Sequence, residues 1–176
     1  MNTSLEIRAA AVRDMPEVLD LNQSARPHVS SLTPDSLRTL FDDAAWFHIA
    51  TANGACVGFL IALRPGSNYR SENYLWFTQR YPSFLYIDRI CVSSEFQRCG
   101  VASRLYADAE KLARECDIPL LTCEVNLEPE NPPSLAFHDR QDFQEVGTQR
   151  TEMGTKLVSL RLKHLGASNG IDQTRR

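Results

Sequence analysis

A short segment of small residues beside a positive charge stands directly before the most regular amphipathic pattern of the sequence. The segment is Gln97–Ser103, and apolar residues recur every three or four positions from Val101 to Cys116, which predicts a helix over 101–116. The first backbone N–H groups of a helix have no partner within it and lie at the positive end of its dipole, so they bind anions. Since Gly100 and Ala102 have small side chains or none, we predict that a bulky pyrophosphate can approach this backbone.

The same segment is compatible with an ordinary tight turn that contains a glycine, and its composition alone does not separate the two interpretations. Two other phosphate-binding sequences are excluded by the residues present. A P-loop requires a Gly-Lys-Ser/Thr triplet, and a dinucleotide fingerprint requires three spaced glycines in an early βαβ unit; neither pattern occurs in this sequence.

A carboxylate interrupts the apolar run 84–92, which otherwise predicts a strand that is covered on both faces. A buried charge is costly unless it has a partner or a function, so Asp88 is either a site residue or one half of an ion pair. Neighbouring residues of a strand point to opposite faces, so we do not expect Arg89 to be that partner. Tyr86 shares the predicted face of Asp88 and is an alternative residue of the same pocket.

Further strands and helices must hold these residues in place. Apolar runs predict strands at 5–11, 46–51, 56–63, 84–92, 119–125, 145–152 and 156–162. Capped periodic segments predict helices that open near Asp14, Thr33, Val101 and Asn131. This order predicts one α/β domain over residues 5–165, with a mixed central sheet of about seven strands flanked by about four helices. Residues 166–176 are expected to form a polar C-terminal tail.

Local signals refine these boundaries. Asp14 and Glu17 have the spacing of a capping box, Thr33 before Pro34 predicts a second helix start, and Asn53–Gly54 predicts a hairpin turn. Residues 64–83 are predicted to be irregular, and their five aromatic side chains disfavour disorder. They are expected to form a lid over a pocket or a contact with a second subunit.

The bulk composition excludes several classes of protein. The 176 residues suffice for one domain with a sizeable core, and the net charge of −3 argues against a nucleic-acid partner. No apolar stretch is long enough for a membrane span and no signal peptide is visible. The five cysteines form no CxxC pair, so we expect free thiols, no metal site and a cytoplasmic protein.

Two stretches together resemble the motifs of the GNAT acyltransferase superfamily. Residues 88–92 followed by 97–102 resemble its motif A, a strand ending in valine and then Q/R-x-x-G-x-G/A, and residues 131–147 resemble the next motif. The predicted element order also matches, from residue 5 to about 163. Four positions depart from the usual pattern: Ala102 replaces a second glycine, Cys99 replaces Gly, Lys or Arg, Asp142 replaces a glycine, and His138 replaces a tyrosine.

The resemblance implies acetyl-CoA as co-substrate and assigns roles to residues of this sequence. The backbone of Ile90, Cys91 and Val92 would pair with the pantetheine arm, and the amides of Arg98 to Ser103 would hold the pyrophosphate. The N–H of Cys91 would stabilise the oxyanion. The cofactor-binding residues implied in this way are Ile90, Cys91, Val92, Gln97, Arg98, Cys99, Gly100, Val101, Ala102, Ser103, Asn131, Ser134, Phe137 and His138.

Two side chains are candidates for proton transfer. Asp88 is the first candidate to take the proton of an attacking amine, whose pKa in water is ~10.4, or to hold that amine in place. His138 is the candidate general acid for the departing thiolate, because imidazole titrates near neutral pH; it is otherwise a helix residue that only touches CoA. Asn131 is expected to bind the pantetheine arm, to cap its helix, or to do both.

The implied function is transfer of an acetyl group from acetyl-CoA to a primary amine by direct attack. The acceptor is a small-molecule amine, an amino acid or a protein amine, and a homodimer is compatible with the resemblance. Two alternatives stay open at this point: a non-catalytic acyl-CoA-binding sensor or regulatory module, and an interaction domain that uses the aromatic segment without a cofactor.

Overall fold

Seven strands of the described residues form a single mixed sheet in the order β1-β2-β3-β4-β5-β7-β6. The structure, a computed structural model, describes residues 4–166, so the predicted tail lies outside the described residues apart from Gly166. The strands are β1 Leu5–Ala9, β2 Trp46–Ala52, β3 Ala55–Leu63, β4 Leu85–Val92, β5 Leu120–Glu128, β6 Gln144–Thr151 and β7 Lys156–His164. Among these seven strands β4 and β5 run parallel, and the other neighbours are antiparallel.

In the part of the chain that the structure describes, five α-helices cover the sheet: α1 Met15–Ser24, α2 Pro34–Asp43, α3 Glu72–Thr78, α4 Val101–Glu115 and α5 Pro132–Arg140. Residues of α1, α2 and α3 belong to the apolar cluster on one face, and residues of α4 and α5 belong to the cluster on the other face. The predicted α/β class and single mixed sheet are therefore confirmed. None of the described helices is long and apolar enough to cross a membrane.

The fifth helix, α3, lies within residues 64–83, where the sequence predicted an irregular segment. That prediction was wrong over Glu72–Thr78. The helix has only seven residues and its N-cap, Ser71, makes no side-chain capping bond, so local sequence signals for it are weak. It is held by tertiary packing instead, because Tyr74 and Phe77 are buried against Phe84.

One predicted helix cap and the predicted hairpin turn are present, and the other predicted cap is not. Thr33 caps α2 by accepting the N–H of Ser36, and Asn53 and Gly54 have the positive φ angles of the expected hairpin turn. The capping box of Asp14 with Glu17 was wrong. The side chain of Asp14 makes no capping bond to α1. Its two carboxylate oxygens instead accept hydrogen bonds from the Arg8 guanidinium, each with a nitrogen–oxygen distance of 2.8 Å.

A gap in the centre of the sheet is the feature that creates a site. β4 and β5 pair only over Leu85–Ile87 and Leu121–Cys123, and beyond these residues the two strands part. Each parted strand keeps an antiparallel neighbour on its other side, β3 for β4 and β7 for β5. The helices α4 and α5 follow these strands along the chain and begin at this opening.

Gly58 on β3 allows the first turn of α4 to pack close to the sheet beside this opening. A Cβ atom at Gly58 would lie 2.9 Å from Cγ1 of Val101 and 3.0 Å from the carbonyl oxygen of Cys91. We predict that Gly58→Ala lowers the free energy of unfolding by about 1–3 kcal/mol, because the helix start or β4 must move. Denaturant titration measures the change. Gly166→Ala is the control, since none of residues 4–166 has an atom within 4 Å of its added Cβ, and equal stability of the two variants would contradict the prediction.

Candidate active site

A cavity of about 1220 Å³ fills the opening between β4 and β5. One end lies between the start of α4 and α5, and the other lies between the α1–α2 connection (residues 25–33) and the β3–α3 connection (residues 64–71). All of the cofactor-binding residues predicted from the sequence line this cavity, with the exception of Cys99. The structure thus brings residues from six separate parts of the chain around one space.

The start of α4 presents open backbone to one end of the cavity. Gly100 is the N-cap with a φ of 81°, and no side chain caps the helix. A Cβ atom added at Gly100 would meet no atom of the described residues within 4 Å, so the surroundings of this N-cap are open. Because the first N–H groups of α4 are unpaired within the helix and lie at its positive end, the geometry suits an anion as large as a pyrophosphate.

The main chain of β4 forms one wall of the cavity. The side chain of Asp88 is only 3% exposed, whereas the residue as a whole is half-buried, so its exposed surface belongs to the backbone. Ile90 and Val92 are also half-buried. Beyond Ile87, none of the described strands pairs with the β4 edge that faces β5. Such an edge can bond an extended polar chain as an added strand would.

Asp88 and Arg89 form a buried ion pair, which corrects the prediction that they point apart. Nε of Arg89 donates to Oδ2 of Asp88 at 2.6 Å. The cause is a bulge: Ile61 pairs with Arg89 and the next residue, Ala62, pairs with Ile87, so Asp88 is an extra residue in β4. A bulge breaks the alternation of the strand and places both side chains on the face of α1.

The second oxygen of Asp88 is also occupied. The hydroxyl of Tyr69 donates to Oδ1 at 2.5 Å. Burial, together with the neighbouring Asp88 charge, raises the pKa of Tyr69 well above its usual value. Tyr69 therefore keeps its proton, and each carboxylate oxygen of Asp88 accepts a hydrogen bond from a side chain of the protein, Oδ1 from Tyr69 and Oδ2 from Arg89.

Glu124 on β5 is a site residue that the sequence interpretation missed. The hydroxyl of Tyr86 donates to Oε2 of Glu124, with 2.7 Å between the two oxygens. Glu124 also lines the cavity. Burial and, second, the negative charge of Asp88 raise its pKa to about 7, although bonds from Tyr86 and Asn73 and the charge of Lys156 act in the opposite direction. The signal was present in the sequence, since Glu124 interrupts the apolar run 119–125 as Asp88 interrupts 84–92.

His138 is a buried, neutral imidazole. Its Nε2 lies 2.7 Å from the hydroxyl oxygen of Tyr106 and its Nδ1 lies 2.8 Å from the carbonyl oxygen of Ser134. Nδ1 thus carries the proton and Nε2 accepts from Tyr106. Burial lowers the pKa of His138 to about 4. Both nitrogens are engaged and the ring has no proton to spare near neutral pH, so this geometry does not favour the predicted role as general acid.

The remaining predicted residues either line the cavity or hold the backbone of α5 and its end in place. Asn131 caps α5 by accepting the N–H of Ser134 and also lines the cavity. Asp142, which replaces a glycine of the family pattern, has a φ of 64°, the left-handed conformation that glycine adopts most readily. Cys91 is buried and lines the cavity, and burial raises the pKa of its thiol to about 12. Its thiol is therefore protonated near neutral pH.

Comparisons with known proteins agree with this architecture. The family model described as Acetyltransferase (GNAT) family matches residues 15–143. Ard1 from Thermoplasma volcanium is similar in structure, with a TM-score of 0.74 at 17% identity over 92% of this chain and 97% of that chain. No protein of curated function matches the chain by sequence.

Two further solved structures are similar at comparable identity. The ribosomal-protein-S18-alanine N-acetyltransferase from Escherichia coli has a TM-score of 0.72 at 15% identity, covering 98% of this chain and 100% of that chain. NAA60 from Arabidopsis thaliana, in complex with a bisubstrate analogue, has a TM-score of 0.73 at 13% identity, covering 94% and 100%. Identities this low establish the fold alone.

The buried imidazole predicts a pH dependence of stability. Between the unfolded pKa of 6.5 and the folded pKa of about 4, the unfolded chain binds more protons at His138 than the folded chain, so stability falls as pH falls through this range. The loss at pH 5 relative to pH 8 is about 2 kcal/mol from this residue. His138→Gln keeps an acceptor for Tyr106 but does not titrate.

Urea titrations at pH 8 and pH 5 test this prediction. Since Glu124 and other groups titrate in both proteins, the comparison rests on the difference between wild type and His138→Gln. At pH 5 the free energy of unfolding of the wild type, taken relative to that of His138→Gln, is expected to be about 2 kcal/mol lower than at pH 8. A difference that does not change with pH would show that the folded imidazole titrates normally.

Proposed function

Since the chain belongs to the GNAT family of acyl-CoA-dependent acetyltransferases, we propose that it acetylates a primary amine by direct attack on acetyl-CoA, with Glu124 as the general base. The observation that carries this proposal is the continuity of one cavity from the open start of α4 to the carboxylate of Glu124. An anion-binding helix start and a proton acceptor tuned to neutral pH are the two requirements of this reaction.

The co-substrate is proposed to lie along the backbone that the parted sheet leaves free. Its pyrophosphate binds the amides of Arg98 to Ser103, where the absence of a side chain at Gly100 leaves room. Its pantetheine arm bonds the unpaired edge of β4 at Ile90, Cys91 and Val92, as an extra strand. Asn131, Ser134 and Phe137 close the other side. This arrangement directs the thioester toward the point where β4 and β5 part.

Glu124 is proposed to take the proton of the amine as the new bond forms. The amine nitrogen attacks the acetyl carbonyl carbon, its proton passes to the Glu124 carboxylate, the C–S bond breaks, and CoA leaves with the electron pair. A carboxylate with a pKa of about 7 is half ionised at neutral pH and is a stronger base than an ordinary glutamate. The N–H of Cys91 is the proposed donor to the oxyanion.

Glu124 replaces Asp88 in this role because the two carboxylates have different surroundings. Both oxygens of Asp88 already accept bonds from Tyr69 and Arg89, whereas the surroundings of Glu124 favour its protonated form. Direct attack is favoured over an acyl-enzyme because burial raises the pKa of Cys91 to about 12. A non-catalytic sensor would have no use for a carboxylate with the properties of Glu124, so we favour the enzyme.

The acceptor is proposed to enter between the α1–α2 and β3–α3 connections, which line the end of the cavity nearest Tyr69. A small-molecule amine, an amino acid and a protein amine all satisfy the mechanism. All five cysteines are free, which supports a cytoplasmic location. The domain is proposed to extend over residues 5–165, and a homodimer stays a prediction.

Replacement of the proposed base gives the sharpest test of the mechanism. Glu124→Gln keeps the shape of the side chain and removes its basicity, so turnover is expected to fall by about 10²–10⁴-fold. The wild-type rate should rise with pH through about 7, the pKa of Glu124, and this limb should vanish in the variant. An assay of free CoA thiol with a panel of amino acids, polyamines and short peptides provides the measurement.

The control is Glu130→Gln, which makes the same change at an exposed residue outside the cavity lining. Acetyl-CoA affinity should be the same in both variants and in the wild type, because Glu124 acts on the amine. Unchanged turnover in Glu124→Gln would remove this residue from the mechanism.

The anion site at α4 is tested separately from catalysis. Gly100→Glu places a bulky negative side chain over the first amides, so acetyl-CoA binding measured by calorimetry is expected to fall by at least about 100-fold. Gly54→Glu is the matched control: Gly54 has a similar φ of 84° and equally open surroundings but lies in the β2–β3 turn. Equal affinity of both variants for acetyl-CoA would refute the assignment.

A further inference from the structure

The buried Asp88–Arg89 pair makes more directed bonds than a structural ion pair requires. Arg89 donates from Nη1 to Oδ1 of Asn22 at 2.8 Å and to the carbonyl oxygen of Ser30 at 3.2 Å, and from Nη2 to Oγ of Ser30 at 3.2 Å. Together with the bond from Tyr69 to Asp88, the pair contacts two segments that are far apart in the sequence.

Both of these segments are walls of the acceptor end of the cavity. Ser30 belongs to the α1–α2 connection, and Tyr69 belongs to the β3–α3 connection; Arg26 and Arg70 of the same two connections also line the cavity. Tyr69 and Ser30 have no hydrogen bond with each other among the described residues, so the route between the two walls runs through Asp88 and Arg89.

Each wall is also tied to its surroundings, which makes the link stiff. Nδ2 of Asn22, a residue with no exposed surface, donates to the same Ser30 carbonyl at 3.0 Å. Asn126 of β5 donates to the carbonyl oxygen of His28 at 3.1 Å, so the α1–α2 connection bridges the opening between the parted strands. On the other wall, the ring of Tyr69 packs edge-on against Tyr74.

Stability alone does not explain this arrangement. The side chains of Arg89 and Asp88 are 4% and 3% exposed, and the desolvation of two buried charges offsets most of their attraction, so apolar residues of similar volume would stabilise the fold as well. What apolar residues would not provide is a set of bonds with fixed direction to Tyr69, Asn22 and Ser30. The geometry of the acceptor walls is the property that such bonds determine.

We propose that Asp88 and Arg89 are a positioning pair that couples the α1–α2 connection to the β3–α3 connection and thereby sets the affinity for the acceptor amine. This inference rests on the proposed function, because it assigns the acceptor to that end of the cavity. It gives Asp88 a role without proton transfer. The bulge turns Asp88 and Arg89 to one face, where Asp88 binds the β3–α3 connection and Arg89 binds the α1–α2 connection.

The test removes single atoms rather than buried charges, so that the fold is retained. Tyr69→Phe deletes the hydroxyl that binds Asp88, and hydrogen–deuterium exchange of the full-length protein then reports on both walls. We expect exchange to rise about threefold or more in residues 24–33 as well as in 64–72, because the first segment loses support through Arg89. Tyr81→Phe is the matched control; it removes the same atom from a ring that packs on Phe77.

Kinetics gives the second measurement, with the fastest acceptor from a panel of amino acids, polyamines and short peptides. Tyr69→Phe and Ser30→Ala should each raise the acceptor KM about threefold or more, with kcat and the calorimetric Kd of acetyl-CoA within about twofold of wild type. The double variant should raise KM by clearly less than the product of the two single effects. Ser30→Ala combined with Tyr81→Phe should be additive.

The outcomes separate this inference from the proposed function. Exchange that rises only in 64–72, or a Tyr69–Ser30 double variant whose effects multiply, would overturn the coupling even if the protein acetylates amines. If wild-type protein neither binds acetyl-CoA nor releases CoA thiol, the proposed function fails, and the exchange experiment still decides whether the pair couples the two walls. A fall in kcat without a change in the acceptor KM in Tyr69→Phe would overturn the positioning role and indicate that Asp88 takes part in the chemical step.

Discussion

The interruption of pairing between β4 and β5 is the constraint from which the site follows. Two parallel strands that stayed paired to their ends would leave no space between α4 and α5 and no free backbone along β4. Here the pairing stops after Ile87 and Cys123, and the bulge at Asp88 re-aims the rest of β4. The cavity, the accessible helix start at Gly100 and the unpaired strand edge are all consequences of this one departure from a regular sheet.

The same opening gives two carboxylates different properties. Asp88 and Glu124 lie on facing strands; the side chain of Asp88 is buried, and Glu124 is half-buried beside the cavity. Asp88 has a guanidinium and a phenol as partners, which compensate its charge, whereas Glu124 has a phenol and an amide and lies in the field of Asp88. Burial without a matching cation favours the protonated acid. Since the residue types are nearly the same, the partners account for the difference between the positioning role proposed for Asp88 and the proton-accepting role proposed for Glu124.

Much of the architecture was predictable because its signals are local. The spacing of apolar residues after Gly100 indicated α4, which the structure has at Val101–Glu115, and the small residues before it are the basis of the proposed anion site. The errors occurred where tertiary contacts decide. A bulge does not show in the alternation of a strand, so Arg89 was assigned to the wrong face. The short helix α3 depends on burial of Tyr74 and Phe77. The neutral state of His138 depends on burial of its ring, and its partners Ser134 and Tyr106 determine which ring nitrogen carries the proton.

An opening in the middle of a sheet would normally weaken a fold, since unpaired strand edges in the interior leave N–H and C=O groups without partners. Two features offset that cost here. The outer neighbours β3 and β7 pair along almost the whole length of the parted strands, so each strand has one complete ladder. The free edges also face a cavity open to solvent, where water or an extended polar co-substrate can bond them. The backbone groups of β4 that are proposed to bind the co-substrate are thus the ones that the fold leaves unpaired, and on this proposal binding completes the sheet without requiring it to rearrange.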